Sequence, residues 1–281
     1  MKYLLVGVFA FLALALFAFD WPVSQPVPVM TFGQKKGDSL NTGINIASSG
    51  KVVAAESGEI IFFHNQNKGL PSPLGNFMAI HHGGGVETVY GHLEGPLDVL
   101  APTVVKRGDA IALLGTSGST IGGNLFFAMI DINENEIVNP VQLLSPPLED
   151  SIKPQMRNAQ LLINNQWYSF GKNVLFPSGR ARFYAQVFDR INNGKYDVLP
   201  YELVLHMNGI EMSRLVFNSQ VLSKALLVIK NSPQDDVALY NDAGALYCGG
   251  FDLVSGNHHV YLYISDFAGN SSSYDFYIKV Q

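Results

Sequence analysis

Gly115-Thr116-Ser117-Gly118-Ser119-Thr120-Ile121-Gly122-Gly123-Asn124-Leu125-Phe126-Phe127-Ala128 is a glycine- and hydroxyl-rich loop that runs straight into an apolar segment. A phosphate-cradling loop of similar composition opens a helix. No helical periodicity follows this one, and Gly83-Gly84-Gly85 precedes no helix either. Both stretches therefore read as tight turns and groove walls, not as nucleotide loops.

The pattern repeats outward from there. Short β-branched or aromatic runs alternate with Gly, Asn, Asp and Pro, among them Lys51–Ala55, Glu59–His64, Phe77–His81, Glu87–Tyr90 and Ala110–Leu114. Others are Gln160–Ile163, Arg182–Phe188, Leu203–Met207, His259–Ile264 and Tyr274–Val280. Strands of this length and spacing predict an all-β protein. Ser145-Pro146-Pro147-Leu148-Glu149-Asp150 is the densest punctuation and the best domain boundary. The 281 residues are enough for two domains. A 47% hydrophobic composition supplies real cores, and 15% charged residues argue against a solvated tail. The net charge of −5, with basic residues clustered no further than the isolated pairs Lys35-Lys36 and Lys106-Arg107, leaves no footprint for nucleic acid.

Several segments in residues 31–147 share one further pattern. Asn41-Thr42-Gly43-Ile44-Asn45-Ile46-Ala47 is followed by Val52-Val53-Ala54-Ala55-Glu56-Ser57-Gly58-Glu59-Ile60. Gly75-Asn76-Phe77-Met78-Ala79-Ile80 leads to His82, Gly84 and Tyr90-Gly91-His92-Leu93. Val105-Lys106-Arg107-Gly108-Asp109-Ala110-Ile111, the opening stretch and Asn139-Pro140 complete the set. Together they resemble the LytM/lysostaphin-type zinc peptidase domain, with its duplicated-hybrid-motif β-sheet and groove. In that family the segments read H-x-G-I-D-I-A, V-x-A-A-x-x-G, G-N-x-V-x-I-x-H-x-x-G, Y-x-H-L and H-L-H-F-E.

The resemblance implies a zinc held by the first His, the Asp four residues on and the second His of H-x-H. It also implies two assisting histidines. Here the three ligand positions are Asn41, Asn45 and Phe126, Asn124 replaces one assisting histidine, and His92 alone is kept. Catalytic zinc needs three protein ligands and an open position for water. A neutral amide is a poor ligand, and a phenyl ring is none. No metal and no catalytic residue is therefore expected. Asn41, Asn45, His92, Asn124 and Phe126 become candidates for a binding groove. His81 and His82 are adjacent on a predicted strand and so face opposite ways. They do not rebuild the site.

Residues 151–281 read as a β-sandwich, and the resemblance there is to bacterial Ig-like or fibronectin-like domains. It rests on Gly256–Asn270 followed by the final strand Tyr274–Val280. Asp266 and Asn270 suit the turn between its last strands because both bond their own backbone. Cys248, the only cysteine, is expected to be a buried core residue.

Met1-Lys2 and the uncharged Tyr3–Phe19 read as a signal peptide or an uncleaved membrane anchor, over residues 1–19. The run falls between the ~7–15 residues of a secretory core and the ~17–25 of a spanning helix. Ala13-Leu14-Ala15 is a small-x-small triplet, though apolar residues continue past it. Residues 20–30, with three prolines in Trp21–Met30, read as an extended linker.

The function expected is a catalytically inactive pseudoenzyme of the periplasm or cell envelope, either free or anchored to the inner membrane. Its groove would hold a peptidoglycan stem peptide or regulate a cell-wall amidase or other hydrolase. Two alternatives stand beside it. One is an active zinc endopeptidase with unconventional ligands. The other is a structural or adhesive protein acting through the Ig-like domain.

Overall fold

The computed structural model describes residues 18–96, 103–120, 122–191, 194–223, 226–232 and 238–281. All but the last two residues of the expected 1–19 leader or anchor lie outside these. Among the described residues there is no α-helix, only strands and one 3-10 turn at Pro140–Gln142. The protein is all-β.

In chain order the first strands are β1 (Phe19–Asp20), β2 (Val27–Met30), β3 (Lys35–Lys36), β4 (Ser39–Leu40) and β5 (Ile44–Ala47). There follow β6 (Lys51–Val53), β7 (Gly58–His64), β8 (Asn76–His81), β9 (Val86–Pro96) and β10 (Val104–Val105). Next come β11 (Ala110–Leu114), β12 (Asn124–Asp131), β13 (Glu136–Val138) and β14 (Leu144–Ser145). The described residues up to Phe32, with Thr42–Leu148, form one compact unit; Gly33–Asn41 and Glu149–Gln281 form the other.

The first unit is a sheet in which β12 runs antiparallel between β5 and β9, and β8 and β7 continue beyond β9. Alternation sets its two faces. Ile44, Ile46, Leu125, Phe127 and Met129 join Met78, Ile80, Tyr90 and Leu93 in the core. Asn45, Asn124 and Phe126 take the opposite face. Gly43 permits the close approach of β5 and β12, because a Cβ there would lie 2.3 Å from the Phe127 carbonyl oxygen.

Trp21–Met30 is not a free linker. Phe19, Trp21 and Val23 are buried in the same core. The Trp21 indole donates to the Pro146 carbonyl at 2.8 Å, and β2 pairs with β5. The prolines fit because this is an edge segment, where missing N–H donors go unnoticed.

Residues 33–41, expected in the first domain, group with the second unit. Tyr240 OH donates to Gly33 O (3.1 Å), and Gln220 Nε2 donates to Asn41 O (2.9 Å). Gly33 has φ +78 and lies against the Phe217 ring, with no room for a side chain.

The rest of the second unit is a two-sheet sandwich. One sheet has β16 (Gln166–Ser169), β15 (Gln155–Ile163), β18 (Gly179–Phe188) and β23 (Leu246–Leu253), in that order. The other has β17 (Leu175–Phe176), β25 (Ser271–Val280), β24 (Gly256–Ser265), β19 (Glu202–Met207) and β20 (Ile210–Val216). β21 (Ser219–Ser223) and β22 (Leu226–Ile229) form an antiparallel hairpin. Aromatic rings bridge the sheets, with Phe183 of β18 at 5.3 Å from Phe276 of β25. Along β24, Val260, Leu262 and Ile264 point inward and Tyr261 and Tyr263 outward, as the alternation predicts. Cys248 is buried in β23, and burial pushes its thiol up to about 12.

Candidate functional site

Register assembles the site. Phe126 on β12 lies directly opposite Asn45 on β5 and Gly91 on β9. Asn124, two residues back along β12, shares the Phe126 face. All three of Asn45, Asn124 and Phe126 are buried. Asn45 Nδ2 donates to Asn124 Oδ1 at 2.9 Å, and Asn124 Nδ2 donates to Thr120 Oγ1 at 2.5 Å. Asn45 Oδ1 is buried and accepts no hydrogen bond.

His92 is brought to the same place by an irregularity. The pairing of β9 with β8 and with β11 slips around this point, which marks a bulge. His92 takes φ +64, the left-handed region that non-glycine residues seldom occupy. Its ring is fully buried and meets Phe126 edge-on, with centroids 6.2 Å apart. Nδ1 lies 2.9 Å from the Ser117 carbonyl, so Nδ1 carries the proton. Backbone bonds from His92 N to Leu74 O and from Gly115 N to His92 O hold the strained residue in place.

Ser117 ties the loops together. Its hydroxyl donates to Leu93 O at 2.7 Å and accepts from Asn76 N at 2.8 Å. Beside this knot opens a cleft of about 560 Å³, lined among others by Ser48, Gln66, Asn67, Glu94, Thr116 and Ser117. Its walls carry amide and hydroxyl groups and a single carboxylate.

The structure brings together Asn45, His92, Asn124 and Phe126. Asn41 is buried within the segment that groups with the second unit. The donor chemistry of the first-unit residues does not fit zinc. Two neutral amides are tied to each other, and a phenyl ring stands where a third ligand is required. His81 and His82 stay apart from this group. His81 Nδ1 lies 3.4 Å from Glu87. His82 lies 2.9 Å from Ser57 O and 2.7 Å from Thr88 Oγ1, and burial holds its imidazole below the ordinary value.

A second cluster, missed as a set in the sequence, lies in the second unit. Ligand atoms of Asp150, Asp189 and Asp266 fall within 4.8 Å of one another. Asn270 closes the turn as the sequence predicts: its N–H donates to Asp266 Oδ1 (2.8 Å) and its amide to Asp266 Oδ2 (2.9 Å). Burial pushes the Asp189 carboxyl up to about 7.

The model of peptidase family M23 matches residues 39–140, and a second family model matches residues 153–281. Over 111 residues the chain is 35% identical to the DD-carboxypeptidase/endopeptidase Mpg of Neisseria meningitidis serogroup B. That match covers 39% of this chain and 24% of Mpg, so the chain spans about a quarter of the relative's length. Among solved structures, a zinc-containing peptidase from Vibrio cholerae shares 26% identity at a TM-score of 0.35, over 41% of this chain and 37% of that one. The catalytic domain of the prophage-encoded M23 protein EnpA from Enterococcus faecalis shares 22% at 0.37, over 44% and 95%. The first unit thus contains a domain of peptidase family M23, the LytM type, with a further domain C-terminal to it.

Proposed function

We propose that the M23 domain is non-catalytic and that it binds the peptide stem of peptidoglycan, in the envelope of the cell that exports it. One observation carries the reading. Where the family resemblance puts metal ligands and an assisting histidine, Asn45 and Asn124 hydrogen-bond to each other and Phe126 stands in a ligand position. Structural zinc sites gain roughly 10–16 kcal/mol from their ligands, and this donor set forgoes that. A lone His92 without metal has no activated water to direct. Beside these buried residues lies a polar cleft whose amides and hydroxyls, with the Glu94 carboxylate, offer donors and acceptors to an extended peptide. The likeness to Mpg, named as a carboxypeptidase and endopeptidase, supports a peptide as the ligand.

The test is titration of soluble stem peptides into the purified protein, followed by calorimetry, with zinc present and the products examined by mass spectrometry. Saturable binding of intact peptide that is weakened by Thr116→Arg, which crowds the cleft, is the expected result. Cleaved peptide, or binding unaffected by Thr116→Arg, contradicts the reading. A cell-wall hydrolase that binds in place of the stem peptide would move the groove to a regulatory role.

A further inference from the structure

We propose that Glu94 makes the cleft selective for stem peptides whose side-chain amine is free, so that it takes stems without a cross-link in preference to cross-linked ones. The inference rests on the cleft being a peptide site and adds to it the charge of the peptide that fits best. Glu94 is placed by an irregularity in the sheet. Leu113 of β11 lies opposite Gly95 of β9, and Leu114 lies opposite Leu93, so Glu94 is the extra residue of the bulge. Its backbone is nonetheless held. Asn76 Nδ2 donates to Glu94 O at 2.8 Å and to Leu93 O at 3.2 Å. Gly115 passes so close that a Cβ there would lie 2.3 Å from Glu94 N. Gly115 N in turn donates to His92 O at 3.0 Å. A bulge re-aims the side chain it carries, and this one carries it from a fixed base.

The charge of the cleft is one-sided. Glu94 lines it, and the other polar residues of its walls are serines, a threonine and amides. Among the described residues no lysine, arginine or histidine lines it. Lys51 and Lys68 follow wall residues in the chain, but both are exposed and neither is part of the walls. Among the described residues Glu94 has no ion-pair partner. The carboxylate therefore stands uncompensated among neutral hydrogen-bonding groups.

The two kinds of group discriminate differently. Neutral donors and acceptors hold the backbone of any extended peptide. A lone carboxylate adds a preference for a cation and a penalty for an anion. The peptide stem of peptidoglycan carries such a cation, the side-chain ammonium of its diamino residue. A cross-link acylates that nitrogen, which becomes a neutral amide and loses its charge. Glu94 is exposed, so the preference is that of a solvated ion pair and is sensitive to salt.

The experiment titrates the purified protein with two stem tetrapeptides, each with lysine as its diamino residue and a blocked N-terminus. One has the side-chain amine free, and the other is acetylated there. The wild type should bind the free-amine peptide about fivefold tighter in low salt, which is ~1 kcal/mol at about 1.4 kcal/mol per tenfold. At about 1 M salt, where the screening length falls to about 3 Å, the preference should shrink. Glu94→Gln should bind the two peptides equally. Equal affinities in the wild type, or a preference that persists in Glu94→Gln, would overturn the assignment and leave the peptide reading in place. Binding of neither peptide would overturn both.

Discussion

Asn45 and Asn124 make the same hydrogen bond but should respond unequally to truncation. Asn124→Ala strands the buried Nδ2 of Asn45, 2.9 Å away, and takes one hydrogen bond from Thr120 Oγ1, 2.5 Å away. An orphaned buried amide costs ~1–3 kcal/mol and a lost hydrogen bond ~1 kcal/mol, so the loss should be about 3 kcal/mol beyond the cavity term. Asn45→Ala takes the Asn45 hydrogen bond from Asn124 Oδ1 at a similar cost. It also removes Asn45 Oδ1, which already lies buried without a partner in the native state. Its existing penalty of ~1–3 kcal/mol offsets the new one, and the net effect is close to zero. Both substitutions delete the same side-chain volume, so their cavity terms largely cancel in the comparison. Urea unfolding followed by Trp21 fluorescence, in a Trp167→Phe background, reports on the first unit. Asn124→Ala should lose about 3 kcal/mol more than Asn45→Ala. Equal losses, or a larger loss for Asn45→Ala, would refute the hydrogen-bond assignment.

Gly43→Ala should cost about 3 kcal/mol in the same titration, because its Cβ meets backbone at Phe127 and not a movable side chain; an unchanged midpoint contradicts this. Asp189→Asn should stabilise the second unit in a pH-dependent way. The folded carboxyl, at about 7, lies above its ordinary 3.8, so the wild type loses stability as pH rises between those values. At 1.36 kcal/mol per unit the gain at pH 8 is at most about 4 kcal/mol, with little gain below pH 4. Matched urea midpoints at the two pH values would refute it, and a loss at pH 8 would show that the carboxylate is compensated by a cation. Cys248 should resist a soluble disulfide reagent in the native protein and react fully in urea. Rapid native labelling would contradict its burial.

Local signals in the sequence account for much of the fold. The hairpin of β24 and β25 follows from strict alternation and from Asp266 and Asn270 in its turn. The opposed positions on β5 and β12 follow from two segments that resemble one family pattern. What the sequence hides is non-local. Phe19 reads as part of a membrane-directed run because nothing near it in the chain reveals that β14 and His82 will cover it. Trp21–Met30 reads as a linker because three prolines conceal an edge strand. Gly33–Asn41 reads as part of the first domain, yet its partners Gln220 and Tyr240 lie about two hundred residues further on. The left-handed backbone of His92 has only Gly91 as a neighbouring hint, and Asp150, Asp189 and Asp266 are too far apart in sequence to show themselves as a set.

Zinc content tests the central claim most directly. The purified protein is equilibrated with zinc, dialysed exhaustively and analysed for metal, with His92→Ala in parallel. Loss of the ligand set predicts that the wild type retains no more zinc than the variant. About one zinc per chain, lost in His92→Ala, would contradict the account and restore a metallopeptidase.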